Sequence, residues 1–331
     1  MNSLESRGDR PRFAWVLNLD AEHELECAHS FTPSAHLRQL VARESRRLVG
    51  TLVAPGDIVL DERDRTSRER RAENLLGLAW SPTPRALALL RAAGAAPLDA
   101  PAVAVLRGVN SRPFAAALRA EHAPGSFAKH VVATLEDALA RLALPAALGW
   151  LVRRSFGAAG RGRRRIASGA PDAGELAWLV ASLRSGPLVI EPWVEVTREF
   201  TRSGWVGADG SIAVSSPCVQ TVSESGAWTG TERDETNQTH RDDDRALAEM
   251  FERAGRALAA AGYFGPFGID AYRHRTADGR EVLNPLSEIN ARFTMDWATA
   301  LSSDPRTADG SRALERWIAS SRGPSPALAT E

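Results

Sequence analysis

The sequence predicts an α/β protein that opens with an α/β lobe and continues into further lobes of mixed strand and helix. Three observations predict it. Strand-like and helix-like patterns alternate over residues 13–109, a glycine-rich turn follows a strand near residue 155, and a long amphipathic helix precedes two strands around a turn at 277–279. At 331 residues the chain exceeds one compact core and suits two or three lobes, since domains cluster near about 100–150 residues.

FAWVLNL (13–19) and GDIVLDE (56–62) are apolar runs of strand length. A helix starts near Thr83 with Pro84 at its favoured first position, carries Leu87, Leu89 and Leu90, and ends at Gly94. AVAVLRG (102–108) reads as a buried strand, and Pro113 opens another helix after Ser111. Thr134 and Asp137 resemble a capping box ahead of Leu135, Leu139 and Leu142. GWLVRR (149–154) is a strand running into FGAAGRG, Asp172 and Glu175 cap a helix containing Leu176, Leu179, Val180 and Leu183, and LVIEPW is a strand. The longest helix is expected over 242–261. Asp242 to Asp244 suit its positive N-terminus, Leu247, Phe251, Ala254 and Leu258 form one face, and Gly262 ends it. Residues 1–12 and 320–331 lack periodicity and are expected to fray.

Composition narrows the function classes. Apolar residues at 44% and charged residues at 25% are ordinary for a globular chain, and no apolar stretch nears the ~20 residues that span a bilayer. The polar N-terminus has no apolar signal region, so the expectation is a cytoplasmic protein without membrane partners. Cys27 and Cys218, far apart and outside any CxxC spacing, read as free thiols and not as a disulfide framework or zinc site. A net charge of zero argues against nucleic acid as a partner. Of the 41 Lys and Arg residues only Lys129 is lysine, so Arg stands wherever a relative would carry Lys.

The segment FGIDAYRHRTADGREVLNPLSEINARFTMDW (267–297) is the most informative. Two strands flank the turn ADG, and with the turn centred near Gly279, positions summing to about 558 face each other, which sets Asp270 opposite Glu288. Asn290 and Arg292 share the Glu288 face as long as the strand stays extended. Two carboxylates and an amide suit Mg²⁺, a hard cation that takes oxygen ligands and shares its shell with substrate phosphates. A surface salt-bridge cluster completed by Arg292 is the structural alternative. Upstream, SFGAAGRGRRR (155–165) can bring backbone N–H groups close to phosphate oxygens, though it is neither a Walker A motif nor a Rossmann fingerprint. It equally suits a mobile hairpin tip, and its arginines a solvated basic edge or an RNA contact.

In combination these motifs resemble the ATP-grasp superfamily, specifically its carboxylate-amine ligases with an N-terminal pre-ATP-grasp lobe, over about residues 105–297. The alternation predicts an open α/β lobe over 13–109, with a disordered 1–12 and a flexible 320–331 at the ends, and the resemblance implies two α+β lobes, 110–187 and 188–319, with ATP between them. It implies ATP as nucleotide and two Mg²⁺ ions, with Mn²⁺ as a substitute, held by Asp270, Glu288 and Asn290. Arg112 and Arg153 stand where the family places phosphate-reaching lysines; the charge is kept, but Arg is planar and bulkier. Gly157, Gly160 and Gly162 match the phosphate-covering loop. IEPWVEVTREFT resembles the hinge, with Glu191, Trp193 and Val194 at the adenine edge and Glu199 on the ribose. Arg292 matches the residue facing the transferred phosphoryl group, so Arg292 and Arg153 are the expected catalytic pair.

The implied activity is ATP-dependent amide or peptide bond formation through an acyl phosphate, on small-molecule or peptide carboxylate and amine substrates. Members of that family are frequently dimers, so a homodimer belongs to the same expectation. A phosphotransferase that stops at phosphorylation and a non-catalytic nucleotide-binding scaffold are the alternatives. Two segments have open readings. SPCVQTVSESGAWTGTERDET (216–236) reads as a loop over an acceptor pocket or as a disordered insert. Asp20, Glu22, Glu24 and Glu26, after the first strand, read as a solvated turn or helix start, or as a site for an amine-bearing substrate.

Overall fold

Parallel pairing organises the N-terminal part of the chain, in a computed structural model that describes residues 11–27, 31–62, 71–122, 131–157, 161–216, 218–223, 228–233, 241–276, 278–303 and 310–321. Strand β1 (Phe13–Val16) leads into α1 (Ala21–Glu26) and α2 (Ala35–Ser45), followed by β2 (Ile58–Leu60), β3 (Leu76–Ala79), α3 (Pro84–Ala92) and β4 (Ala96–Pro97). The four strands form a parallel sheet in the order β2-β1-β3-β4. All four residues of β1 are buried, as expected of a parallel strand covered on both faces. Strand β3 escaped the sequence reading because LGLA is short and carries a glycine. Gly77 is there for packing: a Cβ would meet the Leu90 side chain of α3 at 3.0 Å. The chain leaves β1 to β2 on one side and returns to β3 on the other, so a crevice opens at the carboxyl end of β1, where α1 starts.

Residues 102–108, read as a buried strand, are instead the start of a helix: α4 spans Val103–Val109 with Ala102 as its N-cap. A short apolar run does not fix its own period. Leu106 and Val109, three apart, share one buried face and pack with Leu25 and Phe251. Helix α5 (Arg112–His122) follows, with Pro113 in its first turn as expected.

A second sheet, antiparallel, contains β5 (Val131–Val132), β6 (Trp150–Arg154), β7 (Arg163–Ile166) and β8 (Leu188–Pro192) in the order β5-β8-β6-β7. Helices α6 (Leu135–Leu142) and α7 (Ala173–Leu183) cover it over a core that includes Leu142, Trp150, Val152, Leu179 and Ile190. Asp172 and Glu175 form a full capping box on α7, and the Thr134 hydroxyl accepts from the Asp137 N–H at 3.1 Å on α6.

The third sheet has the order β12-β11-β9-β13-β14 with β10 on β9, and all its pairings are antiparallel. Its strands are β9 (Glu195–Val206), β10 (Ile212–Val214), β11 (Cys218–Val222), β12 (Trp228–Arg233), β13 (Gly265–Arg275) and β14 (Glu281–Asn290), with α8 (Arg241–Ala260) across one face. Gly262, at φ +83°, ends α8. Much of 216–236, expected as a loop or a disordered insert, is the edge hairpin β11–β12; residues 217, 224–227 and 234–236 lie outside the described residues. Its alternation of Val, Thr and Trp with polar residues is a strand signal that the polar composition hid.

Helices α9 (Trp297–Leu301) and α10 (Ser311–Ser321) close the chain. Ser320 and Ser321, expected in a fraying tail, end α10, and 322–331 lie outside the described residues. Phe293, Trp297 and Trp317 from this end pack with Phe13, Trp15 and Leu78 of the first sheet. The aromatic rings meet edge-on, Trp15 to Phe293 at 5.4 Å and Phe293 to Trp297 at 5.1 Å. Among the described residues no helix is long and apolar enough to cross a membrane. Cys27 and Cys218 are free thiols.

Candidate functional site

Strand register brings the first site residues together. Asp270 pairs with Glu288 across β13 and β14, and Gly268 with Asn290, the positions that the hairpin arithmetic indicates; a bulge after Asp270 then shifts the register to Tyr272 opposite Asn284. Asn290 Nδ2 donates to Asp270 Oδ2 at 2.9 Å, and Gln220 Nε2 from β11 reaches Asp270 Oδ1 at 3.4 Å. Gln220 drew no attention in the sequence, since only the pairing of β11 with β9 carries it there. Burial, then the negative charges of Glu288 and Asp296, push the Asp270 carboxyl up to about 8 despite the Asn290 hydrogen bond. Asp296 is itself buried and accepts from Ser203 Oγ at 2.8 Å and Thr201 Oγ1 at 3.1 Å. Burial also raises the Glu199 carboxyl, against the opposing charge of Arg163.

The second sheet and α5 deliver the guanidinium groups. Arg112, the first residue of α5, is buried; it donates to Arg154 O at 3.0 Å and to Gly157 O, and lies 3.2 Å from Glu288 Oε1. Arg153 of β6 donates to Glu191 Oε2 at 2.6 Å and leans on Ser287 O at 3.4 Å. Burial, with Arg112 and Arg119 nearby, lowers the Arg153 guanidinium to about 10, so it stays charged at neutral pH. Arg112 and Arg153 thus both border the strand that carries Glu288.

Glu191, Trp193 and Val194, expected at the adenine edge, sit differently from one another. Glu191 is only 2% exposed, and its carboxylate is clasped between Arg119 and Arg153; Arg119 Nη1 also donates to Leu286 O at 2.8 Å. The Trp193 N–H is donated to Gly149 O at 2.8 Å, and the Arg165 guanidinium lies 5.1 Å over its ring. Val194 is half-buried just ahead of β9. In the glycine loop, Gly157 has φ +154° and a Cβ there would meet Arg161 O at 2.5 Å, so only glycine fits. Gly162 accepts from the Arg154 N–H at 2.8 Å, and Gly160 lies outside the described residues.

Arg292 leaves the sheet. Strand β14 ends at Asn290, the Arg292 N–H turns back to Asn290 O at 2.8 Å, and Asn110 brackets Ala291 through two hydrogen bonds of 2.9 and 3.3 Å. The extended-strand condition therefore fails, and the side chain points to the N-terminal lobe, over the Trp80 ring at 5.6 Å and onto Glu22 Oε1 at 2.6 Å. The acidic cluster is split by its partners. Asp20 and Glu24 pair with Arg85 at 2.5 and 3.4 Å, whereas Glu22 also accepts from the Gly157 N–H at 3.2 Å. Asp20 and Glu22 are buried, so for them the solvated reading does not hold.

No family model and no curated protein matches the sequence. Solved structures resemble its fold. The biotin carboxylase domain of Hydrogenobacter thermophilus 2-oxoglutarate carboxylase, solved with MgADP, ADP and bicarbonate, superposes with a TM-score of 0.52 at 13% identity, over 94% of this chain and 70% of that one. The Thermus thermophilus N5-carboxyaminoimidazole ribonucleotide synthetase gives 0.50 at 16% identity, over 95% and 79%. The chain has the ATP-grasp fold. Campylobacter jejuni biotin carboxylase, in complex with βγ-ATP, gives 0.51 at 14% identity over 76% of this chain and 55% of that one. Two further N5-carboxyaminoimidazole ribonucleotide synthetases are matched over 60% and 62% of their length, so this chain spans about three fifths of them.

Within the ATP-grasp fold, Asp270, Glu288 and Asn290 lie on the third sheet, Arg112, Arg153 and Gly157 at the second, and Glu22 and Arg292 at the crevice of the first. Among the described residues no group of three or more His, Cys, Asp and Glu side chains could hold a metal ion. The protein's own oxygen donors at Asp270 are thus two opposed carboxylates and an amide. That set fits a divalent cation that completes its shell from phosphate and water, and the raised Asp270 carboxyl marks a spot short of positive charge.

Proposed function

We propose that the chain is an ATP-dependent carboxylate-amine ligase working through an acyl phosphate, with the nucleotide between lobes 110–187 and 188–319. One observation supports this above the rest: Asp270 stands opposite Glu288 with Asn290 hydrogen-bonded to it, while Arg112 and Arg153 border the same strand. Asp270, Glu288 and Asn290 are the residues that would hold Mg²⁺, which when bound supplies Lewis-acid charge to the β- and γ-phosphates. Arg112, Arg153 and Arg292 offset the remaining charge of the transferred phosphoryl group, since such a transfer asks mainly for positioning and neutralisation. Gly157 and Gly162 let the backbone approach the phosphates closely. Val194 offers its backbone to the adenine edge, and Glu199 accepts from the ribose hydroxyls. In this reaction a substrate carboxylate attacks the γ-phosphorus, ADP leaves, and an amine then displaces inorganic phosphate to form the amide.

Calorimetric titration of Mg·ATP into the wild type and Glu288→Gln tests the site. Binding by the wild type that drops at least tenfold in the variant is expected, with ADP release that requires both a carboxylate and an amine from a library of amino acids and short peptides. Equal binding in the two proteins would remove the metal-site reading. ADP release that needs no amine would assign a phosphotransferase instead.

A further inference from the structure

Glu22 is the one acidic side chain of α1 described in contact with the candidate site. Asp20 and Glu24 share Arg85, and α1 is docked by Leu25, 1% exposed in the core with Leu106 and Phe251, so the helix has anchors besides Glu22. Its carboxylate instead takes donors from two distant elements, Arg292 Nη2 at 2.6 Å and the Gly157 N–H at 3.2 Å. Arg112, whose guanidinium donates to Gly157 O, adds a second attractive positive charge. A guanidinium, a glycine-loop N–H and a neighbouring cation are the donor set that a phosphoryl oxyanion requires. A carboxylate is likewise an oxyanion and suits the same donors. Two like charges on the same donors a few ångströms apart repel strongly where water is excluded.

We propose that Glu22 is a built-in competitor for the phosphoryl site, so that a phosphoryl group gains Arg292 and the Gly157 N–H only as the Glu22 carboxylate gives them up. This rests on the reading of Arg292 and the glycine loop as phosphoryl ligands. The consequence is a threshold on nucleotide binding that the N-terminal lobe imposes. Burial alone would raise the Glu22 carboxyl, yet Arg292, Arg112 and the two hydrogen bonds hold it below the usual carboxylate range, as an anion seated in an anion site would be.

The test is calorimetric titration of Mg·ATP into the wild type, Glu22→Gln and Glu22→Asp, with thermal melting of each. Gln keeps the shape without the charge, and Asp keeps the charge but falls a methylene short of its donors. Glu22→Gln is expected to bind Mg·ATP about tenfold tighter while melting at a lower temperature, and Glu22→Asp to bind tighter by a smaller factor. If Glu22→Gln fails to fold, the gain in Glu22→Asp decides. Unchanged or weaker binding in both variants, with normal wild-type binding, overturns the competitor role and leaves the ligase reading in place. Failure of all three proteins to bind Mg·ATP overturns the phosphoryl-site reading and this inference with it, whereas binding by the variants alone supports the competitor role most directly.

Discussion

At the scale of single residues, charge placement separates two glutamates that composition treats alike. Glu191 sits 2% exposed between Arg119 and Arg153, and those arginines reach on to the carbonyls of Leu286 and Ser287, next to Glu288. A buried carboxylate shared by two guanidiniums is costly to remove because it leaves like charges facing each other. Glu191→Gln is expected to lose about 3–5 kcal/mol of stability, measured by urea unfolding, while leaving adenosine affinity within about twofold of the wild type. A large loss of adenosine affinity would instead place Glu191 at the adenine edge. Glu22 spends its charge in the opposite way, on donors that a ligand also needs.

At the scale of elements, local signals work where one segment satisfies itself. The α7 start is such a case: Asp172 accepts from the Glu175 N–H at 2.7 Å and Glu175 accepts from the Asp172 N–H at 2.9 Å, all within four residues. Asp172→Ala is expected to cost about 1 kcal/mol, read as faster amide exchange in the first turn of α7 with little change in Mg·ATP binding. Residues 102–108 and 216–236 are the counter-examples. The first run of valines serves a helix because Leu106 and Val109 meet the core under α8, and within the second Cys218–Val222 and Trp228–Arg233 are strands because β9 offers an edge. The first decision is not encoded within its segment, and the second is carried there only by an alternation that polar composition hides.

At the scale of the whole molecule, the C-terminal helices lock the first lobe to the third sheet. Phe293 touches Trp15, Trp297 and Trp317 within 5.5 Å, so one ring joins β1 to both ends of the last segment. Phe293→Ala is expected to destabilise the chain by about 3–5 kcal/mol and to lower the thermal midpoint of both regions together. Two separate transitions, with the third sheet's unchanged and the first lobe's alone lowered, would show that the ring serves only the N-terminal lobe.

The sequence by itself determined the elements whose signals are local: the α3, α6 and α7 starts, the length of α8, and the β13–β14 hairpin with Asp270 opposite Glu288, because turn geometry and the two-residue period of a strand set that register. It also carried the charge content of the site, in arginines where lysines are expected. Tertiary structure decided what those charges meet. Glu191 turned inward because the pairing of β6 with β8 sets it diagonally across from Arg153, Gln220 reached Asp270 through the third sheet, and Arg292 swung onto Glu22 because β14 stops at Asn290. Partners 270 residues apart in the chain leave no periodic trace, and only the packing of three sheets around one junction brings them together.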